Sequence, residues 1–147
     1  MEFEIRAART EDSAGICRLN RIAMGYDFPV ESTSEQLKKL LHDKQHKIFV
    51  AVSAENVLGY LHACNYDLLY APHMKNIMGF AVLPEYRRQG IGKALVDAAC
   101  AWAKSESACG IRLVSGASRK DAHAFYRAYG FVDGKEQLNF KLLFGGK

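Results

Sequence analysis

Apolar residues recur with two periods along the chain, and the change between these periods predicts the order of its elements. Near the N-terminus, FEIRAA alternates between apolar and polar positions like a short strand. A helix is predicted after Thr10, its N-cap, because apolar residues follow at helical spacing from Ile16 to Ala23. The stretch GYDFPVES is predicted to be a loop, and a second helix is predicted to begin at Thr33 or Ser34.

Strands and helices alternate through the rest of the chain. KIFVAVSA and VLGYLHACNY form a predicted hairpin around Glu55 and Asn56, and NIMGFAVL is a third strand that Pro84 ends. GIGKALVDAACAWAKSE is an amphipathic helix, GIRLVSG a buried strand, and KDAHAFYRAYG a helix that Gly130 caps. Two strand-like pieces in FVDGKEQLNFKLLF would close the sheet. This order predicts an α/β (α+β) fold, in which a mixed, mostly antiparallel sheet of about six or seven strands is flanked by about four helices.

The size of the chain is that of a single domain, which we expect to span residues 1–147. Apolar residues make up 49% of the sequence, which supplies a core at this length. No stretch approaches the roughly 18 apolar residues that a membrane-spanning helix needs. Charges stand within the first few residues, where a signal peptide would place an apolar segment. We therefore expect a cytoplasmic protein without membrane association.

The net charge of +4 is modest but unevenly placed. A solvated basic face explains it, and so does an anionic ligand, because Arg87, Arg88 and Lys93 flank one glycine turn. Nucleic acid is not the expected ligand, since basic and aromatic residues are not interleaved and zinc-finger spacing is absent. The cysteines are far apart and form no CxxC pair, so we expect reduced thiols and no metal site. They are Cys17, Cys64, Cys100 and Cys109.

The turn RRQGIGKA has the properties of an anion site. The first N–H groups of a helix have no partner within the helix, and Gly90 and Gly92 would let an oxygen-rich group approach them. A strand-to-helix turn that uses glycine only for steric reasons is the ordinary alternative. A dinucleotide fingerprint would need glycine at Leu95, whereas a P-loop would need glycine at Arg87 and Ser or Thr at Ala94. Both of these phosphate-binding motifs are excluded.

Arg87, Gly90 and Gly92 form an R-x-x-G-x-G pattern between a strand and a helix, and this pattern resembles that of the GNAT superfamily of N-acetyltransferases. HAFYRAYGF resembles the C-terminal helix of the same family, in which a tyrosine, here Tyr126, precedes the ending Gly130–Phe131. The predicted order of strands and helices matches that family over nearly the whole chain. Family members are often dimers, which implies a homodimer.

The resemblance implies that acetyl-CoA is the cosubstrate, and no metal is expected beside it. Main-chain N–H groups of the glycine turn would hold the pyrophosphate, and the end of the preceding strand would pair with the pantetheine arm. Arg119 stands where many relatives carry asparagine, and either a contact with a nucleotide phosphate or a solvated helix start would explain it. The implied cofactor-binding residues are Phe80, Ala81, Val82, Arg87, Arg88, Gln89, Gly90, Ile91, Gly92, Lys93, Arg119 and Phe125.

The resemblance implies that Tyr126 is the catalytic acid that protonates the leaving thiolate. A phenol with a pKa near 10 keeps its proton at pH 7 and can pass it to a thiolate. Periodicity alone would make the same residue a core aromatic, beside Phe125 and Tyr129. Asn76 stands where many relatives carry a glutamate base, so no base is assigned. The open alternatives are a water chain and one of the residues His62, Asp67, His73 and Glu85.

Two loops are the expected source of acceptor specificity, GYDFPVES and NYDLLYAPHMKN, because they combine acidic and aromatic residues. A small-molecule amine, aminoglycoside- or polyamine-like, is the expected acceptor, since the stretch around the first loop weakly resembles family members that act on such amines. The alternatives are a protein N-terminus or lysine, a CoA-binding module without turnover, and a nucleotide- or nucleic-acid-binding protein that uses the basic turn.

Overall fold

A computed structural model of the chain describes residues 2–145, in which two compact units are distinguished. The larger, Met1–Val114, holds a sheet and three α-helices, and the smaller, Ser115–Lys147, holds one α-helix. The expectation of a single domain over the whole chain stays a prediction.

The larger unit contains eight of the nine strands and α-helices found within residues 2–145. In chain order they are β1 (Glu4–Ala7), α1 (Ser13–Met24), α2 (Val30–Leu41), β2 (His46–Ser53), β3 (Asn56–Leu68), β4 (Ala71–Val82), α3 (Ile91–Ser105) and β5 (Ile111–Leu113). Short 3₁₀ turns lie before α1 and after β4, at Thr10–Asp12 and Pro84–Tyr86. The smaller unit contains α4 (Lys120–Tyr129).

The strands lie in the order β1-β2-β3-β4-β5, and all neighbours are antiparallel except β4 and β5, which are parallel. The Tyr60 hydroxyl on β3 donates a 2.6 Å hydrogen bond to Asn20 of α1. At the adjacent Gly59, a side chain would come within 3.3 Å of Ile91 and Leu95 of α3. Because successive strand residues point to opposite faces, α1 covers one face of the sheet and α3 the other.

A fully buried lysine joins α3 to the sheet. Lys75 on β4 donates a 2.5 Å hydrogen bond to Asn65 on β3 and pairs with Glu106, which follows α3. Its ammonium also lies 4.1 Å from the centre of the Trp102 ring. A buried charge is tolerated only where partners replace its hydration, and here a carboxylate, an amide oxygen and an aromatic face do so.

A bidentate ion pair fixes the chain between β1 and α1. The Arg6 guanidinium donates to both carboxylate oxygens of Asp12, at 2.8 and 3.0 Å, and the Arg9 N–H donates to one of them at 2.7 Å. Burial acts to raise the pKa of Asp12, but the hydrogen bonds and charges of Arg6 and Arg9 outweigh it and lower that pKa. The carboxylate therefore stabilises the fold in its charged form.

We expect Asp12→Asn to lower the free energy of unfolding by about 3 kcal/mol, because it leaves the Arg6 guanidinium without its partner. The folded pKa of Asp12 is lowered, so its contribution is present above its unfolded pKa of about 4 and is lost as the pH falls through the folded value. Urea unfolding at several pH values measures both effects. Asp97→Asn, at an exposed pair with Lys93, should change stability little, and equal effects of the two variants would contradict the prediction.

The predicted order of elements agrees with the structure as far as α4, with corrections at two helix starts. Thr10 begins a 3₁₀ turn, and Asp12 is the N-cap of α1. The second helix begins at Val30, not at Thr33 or Ser34. Thr33 lies inside the first turn, where its N–H and hydroxyl donate to the Pro29 carbonyl at 2.9 and 3.0 Å.

The strand number of six or seven was wrong, since residues 2–145 contain five strands. No strand follows α4 up to residue 145, although apolar and polar residues alternate there. The apolar members of that alternation are exposed, among them Leu138, Phe140, Leu142 and Phe144. Alternation shows that a segment is suited to a sheet, but pairing depends on a partner edge that the segment itself does not specify.

Candidate active site

The glycine turn lies between β4 and α3 and has an unusual backbone. After the 3₁₀ turn Pro84–Tyr86, Arg88 has φ 64° and Gly90 has φ 86°, both in the left-handed region. Gly90 is the N-cap of α3, whose first residue, Ile91, is buried in the core. A left-handed residue next to other conformations turns successive N–H groups toward a common point, which is the geometry of an anion-binding nest.

The N–H groups of residues 88–93 are available at this point. Within the described part of the chain, no loop or cap hydrogen bond uses them, and the first N–H that does so is that of Ala94, which donates to the Gly90 carbonyl at 3.0 Å. The fifteen-residue helix α3 adds the positive end of its dipole. The turn therefore presents several aligned main-chain donors to an anion.

The basic side chains of the turn do not all offer an unpaired positive charge to a bound anion. Arg87, Arg88 and Gln89 are exposed and free to approach a bound anion. Lys93, predicted to add charge to the turn, forms a 3.0 Å ion pair with Asp97 one helical turn further along α3. Two arginines thus supply the positive charge that is not already paired on the helix surface.

The end of β4 extends past its parallel neighbour. β5 pairs with Lys75–Ile77 and no further, whereas β4 continues to Val82. On its other side, the stretch Phe80–Val82 pairs with Gly59–Leu61 of β3. Phe80, Ala81 and Val82, the predicted partners of an extended cofactor arm, therefore lie in the part of β4 beyond the β5 ladder.

The candidate bases lie at different distances from this strand end. Asp67 and His73 pair with each other at 2.6 Å, and His73 is seven residues before Phe80, or about 23 Å along the strand. The amide oxygen of Asn76 accepts a 2.7 Å hydrogen bond from Arg112. Glu85 is exposed in the 3₁₀ turn after β4.

His62 lies on β3 beside the last part of β4, and it is paired with His46, which was not predicted as a site residue. Its Cα lies opposite that of Gly79, the residue before Phe80. Nε2 of His62 and Nδ1 of His46 are 2.9 Å apart, and Nε2 of His46 lies 3.9 Å from Asp43. Burial, and then the proximity of His46, lowers the pKa of His62 to about 4, so His62 is neutral at pH 7.

Tyr126 lies on α4 in the smaller unit, in contact with two other aromatic rings. The rings of Phe125 and Phe131 meet it edge-on, each with its centroid 5.7 Å away. Burial raises the pKa of Tyr126, and the charge of Arg119 only partly opposes this effect. The phenol is therefore protonated at neutral pH. Arg119 itself is exposed and is the N-cap residue of α4.

The two loops predicted to choose the acceptor are exposed. Tyr26 and Phe28, between α1 and α2, expose 63% and 51% of their surface. Leu69 and Tyr70 form the tip of the β3–β4 hairpin and are almost fully exposed. Large apolar side chains in water at two loops indicate contact surfaces rather than core.

Residues 2–145 lack two further kinds of feature. They contain no group of three or more His, Cys, Asp or Glu side chains that could hold a metal ion. None of their helices has the length and apolarity needed to span a membrane.

The sequence and the fold define the class of protein to which this chain belongs. The model of the acetyltransferase (GNAT) family matches residues 14–131, which include the glycine turn and all of α4. The chain therefore belongs to the acetyltransferase (GNAT) family. This confirms the predicted family and the predicted enzyme class, an acyltransferase that acts on amino groups.

Individual relatives differ in the amine that their names specify. The chain is 30% identical over 148 residues to an N-alpha-acetyltransferase of Saccharolobus solfataricus, covering 95% of this chain and 81% of that one. It is 27% identical over 146 residues to aminoglycoside N(6')-acetyltransferase type 1 of Stenotrophomonas maltophilia, covering 94% and 92%.

A solved structure confirms the fold class. AAC(6')-Iy in complex with the bisubstrate analogue CoA-S-monomethyl-acetylneamine superposes with a TM-score of 0.86, covering 97% of this chain and 99% of that one at 16% identity. The α+β fold with a mixed sheet and flanking helices is thereby confirmed, with the strand number corrected above.

Proposed function

We propose that this protein transfers an acetyl group from acetyl-CoA to a primary amine of a small molecule. The observation that carries the proposal is the turn before α3, where Arg88 and Gly90 are left-handed and the N–H groups of residues 88–93 are available. A pyrophosphate matches this arrangement, because it is a compact dianion with several acceptor oxygens. The bound CoA analogue in the AAC(6')-Iy structure supports the same cosubstrate.

The cofactor's pantetheine arm would follow the end of β4. An extended arm with amide groups can add to a strand edge through main-chain hydrogen bonds. Phe80, Ala81 and Val82 lie where β4 has continued past β5, directly before the turn that would hold the pyrophosphate. In this position, an N–H near Ala81 or Val82 would stabilise the thioester oxygen as it gains charge. Phe125 and Arg119 on the smaller unit are proposed as additional cofactor contacts.

Tyr126 is the proposed general acid. The neutral amine attacks the thioester carbon, the C–N bond forms, and the C–S bond breaks. The electron pair of that bond goes to sulfur, and the departing thiolate takes the phenolic proton of Tyr126. A phenol whose pKa burial raises retains this proton until a thiolate is generated.

An aminoglycoside- or polyamine-like amine is the proposed acceptor. The Stenotrophomonas maltophilia relative supports it, and so do the acidic and aromatic residues of the loop before α2, where Tyr26 and Phe28 are exposed beside Asp27. A protein N-terminus is the second candidate, because the relative from Saccharolobus solfataricus is an N-alpha-acetyltransferase. We further propose a cytoplasmic homodimer, which does not bind nucleic acid or membranes; light scattering of the purified protein would measure its oligomeric state.

Release of free thiol from acetyl-CoA tests the function. Kanamycin, spermidine, single amino acids and peptides with a free N-terminus serve as acceptors, and mass spectrometry of the products locates the acetyl group. We expect thiol release with at least one small amine. A protein that binds acetyl-CoA but releases no thiol with any acceptor would be a binding module. Displacement of acetyl-CoA by ATP or an oligonucleotide at low salt would instead favour the nucleotide-binding alternative.

A further inference from the structure

The proposed reaction needs a proton acceptor, and the residue that many relatives use is replaced here. Asn76 is a neutral amide at pH 7, and its oxygen already accepts a hydrogen bond from Arg112, whose guanidinium lies 4.2 Å from the centre of the Tyr66 ring. This cluster offers no lone pair of useful basicity. Asn76 therefore cannot accept the proton of the acceptor amine, and another group near this face of the sheet or a water chain must do so.

His62 lies on that face and close to the end of β4. It shares a face with Tyr60, whose hydroxyl contacts α1, because the two residues are two apart on one strand. Directly paired Cα atoms of antiparallel strands are about 5 Å apart, which brings His62 beside Gly79, one residue from Phe80. Because Gly79 is a glycine, no side chain at that position covers β4 next to the imidazole of His62. A Cβ atom added to Gly79 would lie 3.0 Å from the Tyr60 hydroxyl.

A route for the proton leads away from His62. Its Nε2 lies 2.9 Å from Nδ1 of His46, and Nε2 of His46 lies 3.9 Å from a carboxylate oxygen of Asp43. Asp43 and His46 line a cavity of about 590 Å³, also bordered by His42, Trp102 and Glu106. The three side chains thus connect the interior face of the sheet to solvent.

We propose that His62 is the base that accepts the proton of the acceptor amine, and that His46 and Asp43 relay this proton toward solvent. This inference rests on the proposed acetyl transfer. When the amine nitrogen bonds to the thioester carbon, its proton moves to Nδ1 of His62. The proton on Nε2 of His62 passes to Nδ1 of His46, and the proton on Nε2 of His46 moves toward the Asp43 carboxylate. His62 is the residue that contacts substrate, and His46 and Asp43 act through it.

The surroundings of His62 favour passing a proton on to His46 rather than keeping it on the His62 imidazole. A neutral imidazole carries the lone pair that the step needs, and the lowered pKa of His62 means that a proton does not remain on it. In addition to His46 and Asp43, the titratable and charged groups around His62 on this face include Tyr60, Cys64 and Tyr66 of β3, Arg112 of β5, and Arg6 of β1 with its partner Asp12. Helix α1 contributes the neutral Asn20.

The kinetic test compares wild type with His62→Gln, His46→Gln and the control His42→Gln, at an exposed histidine, using an acceptor that the wild type acetylates. We expect His62→Gln to lower kcat about tenfold at pH 7 with the KM for acetyl-CoA unchanged. The deficit should shrink as the pH approaches the pKa of the amine, because the free amine then needs less assistance. His46→Gln should show a smaller deficit and a shifted pH profile, and His42→Gln should match wild type. Wild-type kcat and pH profile in His62→Gln would overturn the proposal.

A second measurement needs neither a variant nor turnover. Long-range ¹H–¹⁵N correlation spectra of the wild type at pH 7 report which nitrogen of each imidazole carries hydrogen. The proposal requires a neutral His62 with hydrogen on Nε2, so that Nδ1 is the acceptor, and the opposite tautomer would overturn it. If no acceptor releases thiol, the proposed function fails; if thiol is released but His62 has the wrong tautomer, only the relay fails.

Discussion

Replacement of Gly90 by valine is expected to raise the KM for acetyl-CoA about 100-fold, a loss of about 2.7 kcal/mol of binding. Gly90 has φ 86°, which a β-branched residue adopts only at a cost of 1–2 kcal/mol or more. The variant would relieve that strain by rotating the backbone, and this rotation would turn the N–H groups of residues 88–93 away from their common point. A valine side chain would also stand between those N–H groups and the pyrophosphate.

Gly25→Val is the matched control, because it introduces the same backbone strain at a position outside the proposed cofactor site. Gly25 is the C-cap of α1 with φ 74°, and a side chain there, as at Gly90, would meet no atom within 4 Å. Both variants should therefore lose similar stability in thermal unfolding. Calorimetric titration with acetyl-CoA should show weakened binding for Gly90→Val alone. Equal affinities of the two variants would mean that the turn does not hold the cofactor.

Much of the fold could be predicted because its signals are local. The amphipathic period of α3, the apolar run of β4 and the hairpin between β2 and β3 are all contained in contiguous sequence. The starts of α1 and α2 were misplaced because capping residues such as Thr10 and Thr33 also occur inside a first turn. The segment after α4 was overpredicted for a different reason, since its alternating pattern carries no information about a pairing partner.

The glycine turn of the candidate site was predictable, whereas the histidine pair was not. The turn is specified by residues adjacent in sequence, from Arg87 to Lys93. The pairing of Ser53 with Asn56, continued without irregularity, would place His46 opposite Ala63 and on the face away from His62. A bulge near Ala51 and Val52 shifts the register by one residue, so His46 lies opposite Cys64 and shares a face with His62. No local sequence pattern predicts that bulge.

Tyr126→Phe is expected to lower kcat at least tenfold. The loss should approach the rate acceleration of about 100-fold that general acid catalysis commonly supplies. The substitution removes one oxygen and keeps the aromatic ring, whose centroid lies 5.7 Å from those of Phe125 and Phe131. Without the phenol, the CoA thiolate must leave unprotonated or take its proton from water. Because the hydroxyl acts on the leaving group, binding of acetyl-CoA in a calorimetric titration should be unchanged.

Tyr129→Phe separates this chemical role from a packing role. Tyr129 lies on the same helix and contacts the same two rings, with centroid distances of 6.4 Å to Phe125 and 5.7 Å to Phe131. Loss of its hydroxyl should leave kcat within about twofold of wild type. A thioester with a more acidic thiol depends less on an acid, so acetyl transfer from such a donor should be slowed less by Tyr126→Phe than transfer from acetyl-CoA. Unchanged turnover of acetyl-CoA would remove Tyr126 from the mechanism, whereas equal losses in both variants would assign the hydroxyls to packing around Phe125 and Phe131.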